Sequence, residues 1–195
     1  MLVSRILAVP AALLVCLTCA RAEEPLWKTV GQWTIRIDRT LNFGCFMTAV
    51  YERGTAFRIG FDRTNANGYV MFGNLAWQSL EAGKEYSITL QFDDEPSWQG
   101  TATAVHIGAD SAVFLAAPFN KPSIMVEFMR KQALKIFYRG NLVTSLSLRG
   151  SYAAIQELLN CQSAVNEAMG SPSPQPKDPF ASSRPANSKP DPFSD

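Results

Sequence analysis

Histidine is almost missing from this chain: His106 is the only one among 195 residues. With no second histidine and no cysteine close by, a zinc centre would need three carboxylates, a donor set that zinc rarely takes. No metal and no cofactor is therefore expected. A Gly-x-Ser-x-Gly elbow and a glycine-rich phosphate loop are absent too, which leaves nucleophile and nucleotide chemistry without their usual frames. Gly150-Ser151-Tyr152 is read instead as the start of a helix. Asp93, Asp94 and Glu95 are adjacent acids on one loop, whereas glycoside hydrolysis needs two carboxyls in separate, differently buried positions. The expected protein is not an enzyme, and a cell-wall hydrolase is the poorest fit.

Excess charge is also lacking. Lys and Arg number 18 against 17 Asp and Glu, a formal net charge of +1. A nucleic-acid partner would call for a basic cluster that displaces counterions, so none is expected. Past Ala22 no apolar run approaches the roughly 20 residues of a membrane span.

What the chain does have begins at its N-terminus. Arg5 precedes an apolar stretch from Ile6 to Cys19, and Ala20-Arg21-Ala22 places small residues where a signal peptidase reads. Residues 1–22 are expected to be a cleaved secretory leader, sending the chain to the periplasm or beyond. Its removal takes Arg5 and Arg21, leaving 16 basic against 17 acidic residues and a net charge of −1. It also takes Cys16 and Cys19, so only Cys45 and Cys161 remain. Two cysteines in an oxidising compartment are expected to pair. Closing so long a loop is worth roughly 4–5 kcal/mol in the chain-entropy account, an upper figure.

The middle of the chain reads as strands. Trp33, Ile35 and Ile37 alternate with polar residues. Residues 44–51 and 55–62 flank Glu52-Arg53-Gly54, a hairpin pattern. Cys45, Met47, Ala49 and Tyr51 share one face of its first arm, and the other face is nearly as apolar, which suits a central strand. A polar loop over 63–68 leads to a strand over 69–75. Tyr86, Ile88, Leu90 and Phe92 mark another, ended by Asp93-Asp94-Glu95-Pro96, since proline cannot donate to a ladder. Residues 98–107 and 112–116 form two more around Gly108-Ala109-Asp110. A short helix is expected over 122–130, with Ser123 as its cap. A hairpin over 133–138 and 142–148 turns at Arg139-Gly140-Asn141. Ser151 is expected to cap a final helix reaching Met169, whose stripe of Ala154, Leu158, Cys161, Val165 and Ala168 puts Cys161 on the buried face.

From Gly170 the sequence is rich in proline and serine, and is expected to be a disordered tail. Asp-Pro-Phe occurs in it twice, at Asp178 to Phe180 and at Asp191 to Phe193. The folded part, residues 23–169, is thus one mainly β (α+β) domain. About nine strands suggest an antiparallel β-sandwich or a partly open barrel, with one short helix and a C-terminal helix.

Of the aromatic residues near loop ends, most of Trp77, Trp98, Tyr69 and Tyr86 are expected to pack in the core. A partner-binding site is expected on two loops, through Arg63, Asn65 and Asn67 on one and Asp93, Asp94, Glu95 and Trp98 on the other. An acidic loop beside an aromatic side chain suits a cationic protein surface.

The run from Leu146 through Arg149-Gly150-Ser151 to Ala154, followed by Leu158 and Cys161, resembles the strand-to-helix ending of the invasion-associated locus B family. The resemblance covers about the last thirty folded residues. The earlier part, with Trp77, Gly83-Lys84-x-Tyr86 and Trp98, departs from that family and is more similar to small exported periplasmic proteins of rhizobia. Some periplasmic proteins of this size are similar in role to immunity proteins that block cell-wall-targeting secretion effectors. The function expected is therefore a periplasmic module that binds another protein, in an immunity or inhibitor role. An envelope or host-interaction factor is the alternative that the locus B resemblance implies.

Overall fold

The computed structural model describes residues 24–107 and 112–170. The expected leader, the turn at 108–110 and the tail beyond 170 lie outside the described residues. Ten strands and two helices follow in the order β1 (Leu26–Val30), β2 (Trp33–Asp38), β3 (Gly44–Val50), β4 (Ala56–Asp62), β5 (Asn67–Gly73), β6 (Glu85–Phe92), β7 (Trp98–His106), β8 (Val113–Phe119), α1 (Ser123–Arg130), β9 (Ala133–Tyr138), β10 (Asn141–Ser147) and α2 (Ser151–Met169). A single 3-10 turn, Arg39–Leu41, joins β2 to β3.

All ten strands belong to one antiparallel sheet, ordered β1-β2-β3-β4-β5-β8-β7-β6-β9-β10. Of the two architectures left open by the sequence, this is the open, barrel-like one. The sheet is not closed, because β1 and β10 do not pair. It curls far enough for its ends to be tied by side chains. Gln32 Nε2 and Tyr51 Oη donate to the Ser147 carbonyl at 3.0 and 2.9 Å, and Trp33 Nε1 donates to that of Arg149 at 3.1 Å.

Period-two alternation sorts the side chains. Cys45, Met47, Phe57, Ile59, Val70 and Phe72 enter the single core cluster, while Phe46, Arg58 and Tyr69 lie on the opposite face. β3 is buried on both faces, as a strand between two neighbours should be. The strand missed by the sequence reading is β1. Its first four residues are exposed and it pairs only with β2, so no apolar alternation announces it.

α1 carries the chain from β8, in the middle of the sheet, past β7 and β6 to β9. Its Phe128 ring lies 5.3 Å from that of Phe57 and 5.1 Å from that of Phe92. α2 packs on β1, β2 and β3 and against α1, and Cys161 is bonded to Cys45. No helix among the described residues is long and apolar enough to cross a membrane.

Three local expectations need correcting. Ser123 is the first residue of α1 rather than its cap; Pro122 holds that position with no side-chain bond. Ser151 does not cap α2, which starts from Gly150 in the left-handed region at φ 79°. Its buried hydroxyl donates to the Phe128 carbonyl instead, sewing the start of α2 to α1. The apolar stripe of α2 stops at Val165, because Ala168 is exposed.

Candidate functional site: a cleft between the sheet end and two helices

The strand pattern creates an opening. β7 pairs with β8 only from Thr103 to His106, opposite Ala116 to Val113. The start of β7 pairs with β6 alone, and the end of β8 with β5 alone. The two strands splay apart there, which also explains Pro118: its nitrogen faces no ladder partner on that side. Trp98, Gly100 and Thr101 from β7 and Ala117 to Phe119 from β8 line a cavity of about 210 Å³ in the fork.

Beyond the fork the segment Phe119-Asn120-Lys121 turns into α1, and its other side borders a larger cleft of about 630 Å³. Phe61 and Phe119 from the sheet, Met125, Val126 and Met129 from α1, and Leu159 from α2 give it mainly apolar walls. Local sequence builds each wall. Ile124, Met125 and Phe128 anchor α1 inward, which leaves Val126 exposed and Met129 half-buried at the edge of the core. Val126 is 37% and Leu159 45% exposed. Gly68 permits the floor, since a Cβ there would meet the Phe119 ring at 2.4 Å. Methionine is unbranched and adapts to differently shaped partners.

A polar strip forms the remaining wall. Arg63 is 6% exposed. It donates through Nε to Asn166 Oδ1 at 3.2 Å, through Nη1 to the Asn42 carbonyl at 2.7 Å, and through Nη2 to the Gly170 carbonyl at 2.6 Å. Asn166 Oδ1 also accepts from Gln162 Nε2 at 3.1 Å. Arg63 thus holds the end of α2 in place and lines the cleft with a hydrogen-bonded edge. Lys121 stands exposed on the lip and has no ion-pair partner among the described residues.

The other residues singled out in the sequence fall in several places. Asn67 lines the cleft with Arg63, while Asn65 is held by Asp62, to whose Oδ2 its side chain donates at 2.7 Å. Trp98 lines the neighbouring fork, across the Phe119-Asn120-Lys121 segment. The acidic loop is absorbed by its own chain. Asp93 Oδ1 accepts from the backbone of Gln132 and Ala133 at 3.0 and 2.9 Å, Glu95 pairs with Lys131 at 2.7 Å, and Asp94 pairs with Lys135 at 3.0 Å. Tyr86 packs against Tyr138 and Trp77 against Phe72. His106 ends β7 on the surface, and no group of three or more His, Cys, Asp or Glu among the described residues is placed to hold a metal.

Two features were not found from sequence. One is the helical half of the cleft; Leu159, which falls off the buried stripe beside Leu158, was the available sign. The other is a charged cluster on the outer face of the sheet. The Arg58 guanidinium lies 3.4 Å over the Phe46 ring and 5.3 Å from that of Tyr69. It donates to Asp38 and to the Tyr69 hydroxyl, and stands 3.4 Å from Glu24. Burial raises Asp38, but hydrogen bonds from Thr40 and Arg58 and the Arg58 charge outweigh it, so its pKa is lowered. Burial dominates at Glu24 and Tyr69 and raises both. Every member is partnered within the cluster, which fits an architectural clamp across β2 to β5.

A third cavity, about 710 Å³, lies at the seam between β10 and the β3–β4 hairpin. Polar groups such as Gln32 and Tyr51, already bonded to Ser147, occupy much of its wall. The cleft beside α1 is the more apolar and the more open to a side chain.

Compared with family models, with curated proteins and with solved structures, the chain matches none. The residues that carry the resemblance to the locus B family are architectural. Leu146, Leu148, Ser151 and Ala154 are each no more than 2% exposed and form the junction of β10, α2 and α1, away from the cleft.

Proposed function

We propose that this chain is a non-catalytic, exported protein-binding module that takes up an apolar segment of another periplasmic or envelope protein, in the role of an immunity or inhibitor protein. The observation that carries this reading is the cleft at α1. Val126 and Leu159 stay exposed on its walls beside the partly buried Met129, Phe61 and Phe119, and a fold with no use for such apolar side chains there would gain by making them polar. The chemistry of the walls specifies the guest: a bulky apolar side chain for Met125, Val126, Met129 and Leu159, with an acidic neighbour for Lys121. Two adaptable methionines suit recognition of a short segment by packing. The leader-like N-terminus and the Cys45–Cys161 disulfide support an oxidising compartment as the place of action.

The acidic loop is not the favoured site, because Lys131 and Lys135 already pair with Glu95 and Asp94. The test is capture from envelope and secreted fractions with residues 23–195, read by mass spectrometry. One stoichiometric partner is expected, lost with Val126→Glu and with Leu159→Glu and retained with Asp94→Lys. If that partner is a cell-wall enzyme slowed by an equimolar amount of this protein, the inhibitor role holds. A partner retained by both cleft variants would move the site elsewhere.

A further inference from the structure

The described chain ends against the cleft. The carbonyl of Gly170 accepts from Arg63, whose side chain lines the same wall as Asn166. The next residues to leave α2 therefore set out from the rim of an open apolar site. They carry few groups able to fill it: in residues 171–195 the only large apolar side chains are Phe180 and Phe193, each preceded by proline and aspartate. That is the chemistry the cleft and Lys121 ask of a guest.

We propose that Asp178, Pro179 and Phe180 of this same chain occupy the cleft as a resident competitor, which a partner segment must displace. Phe180 would seat its ring among Met125, Val126 and Met129, where sulfur–aromatic contacts add to apolar burial. Asp178 would face Lys121. The proposal rests on the reading of the cleft as a protein-binding site and adds its regulation.

Reach is sufficient. Phe180 lies ten positions beyond Gly170, about 33 Å if fully extended and about 17 Å as a flexible coil. The eight residues of α1 run only about 12 Å. The nearer copy is the better placed. Eight residues tether Asp178 and twenty-one tether Asp191, and effective concentration falls roughly as the −3/2 power of length, a disadvantage of about fourfold for the farther one. With a millimolar effective concentration, even a segment of millimolar intrinsic affinity fills much of the cleft. If it is mostly filled, a partner's apparent affinity drops by about tenfold.

The experiment is methyl NMR on residues 23–195 with labelled methionine. Phe180→Ala is expected to shift the Met125 and Met129 methyls as the ring leaves, while Met47, fully buried in the core, stays fixed as the folding control. Phe193→Ala is expected to leave all three unchanged. Adding a peptide that spans residues 173–183 to the Phe180→Ala protein should return Met125 and Met129 to their original positions. Unmoved methyls in Phe180→Ala overturn the proposal, and so does a shift produced by Phe193→Ala instead. The two readings also fail separately. Partner capture that depends on Val126 with unmoved methyls removes the tail and keeps the partner site. Moved methyls with capture indifferent to Val126 do the reverse.

Discussion

Cys45 is gripped by two consecutive residues of α2: its backbone N–H donates to Gln162 Oε1 at 2.9 Å, and its sulfur is bonded to Cys161. Both links act between the same turn of helix and the same residue of β3, so they are expected to reinforce each other. Gln162→Ala leaves a buried N–H without a partner and should cost about 1–3 kcal/mol. Replacing both cysteines by alanine should cost up to roughly 4–5 kcal/mol. In urea unfolding of the single and combined variants, the two losses should differ from additivity by more than about 0.5 kcal/mol. Simple additivity would mean that the two links hold independently.

Arg58 is expected to be the least replaceable cation on the outer face. Arg58→Ala strands Asp38, only 5% exposed, and should destabilise the fold by about 3–5 kcal/mol. The pH dependence has a defined sign. Asp38 titrates below its ordinary 3.8, so its stabilising contribution is complete above that value and is lost as pH falls toward the folded pKa. Glu24 is raised above 4.5 and acts in the opposite sense: its charge weakens the fold at neutral pH and is relieved on acidification. Melting temperatures followed from pH 7 down to pH 2 should show a shallower acid limb in Asp38→Asn than in the parent. An unchanged limb would mean that Asp38 is not held in the folded state as described.

Ser151→Ala tests the stitch between the helices. Removing the hydroxyl takes away the donor that reaches the Phe128 carbonyl, for an expected loss of about 1–3 kcal/mol. Restoring the hydroxyl with Thr should recover part of it. If the loss came from capping of α2, helicity by circular dichroism would fall at the α2 end; the stitch predicts lower stability at unchanged helicity.

Gly68→Ala should reshape the cleft without touching a helix. The added carbon lands on the Phe119 ring, and moving that ring into the cleft is expected to cost about 1–3 kcal/mol as overpacking. Partner capture should weaken, and the Met125 methyl should shift while that of Met47 does not. Capture at full strength would place the guest away from the floor.

Strands with one apolar face could be read directly from the chain, as in β2, β4 and β6, because burial imposes period two on their sequence. β1 could not, since it contributes backbone pairing to the edge and almost no buried side chain. The pairing of Cys45 with Cys161 followed from counting cysteines and from the stripe on α2. The sheet order did not, because β5–β8 and β6–β9 adjacency depends on contacts distant in sequence. The site was half legible. Arg63 and Asn67 were picked for their loop and do line the cleft, but Arg63 is a strut for the end of α2. Asp93, Asp94 and Glu95 looked available because the groups that engage them, on Gln132, Lys131 and Lys135, lie on or just before β9, a neighbour of β6 distant in sequence that no local pattern reveals. Val126 and Leu159 were read as parts of helices, and only packing shows which sides of those helices are left over.

The bond between Cys45 and Cys161 closes a ring that spans 116 positions. Everything from β3 to the middle of α2 lies inside it, including the exposed hairpin turn at Glu52 to Gly54. A protease that cuts once within the ring produces no free fragment, because both pieces remain attached through the sulfurs. The nicked molecule should migrate as one species until a reductant is added, then separate into two. A single clip in a surface loop thus becomes a wound that the protein can carry, its two pieces held together until the disulfide is reduced or a second cut is made.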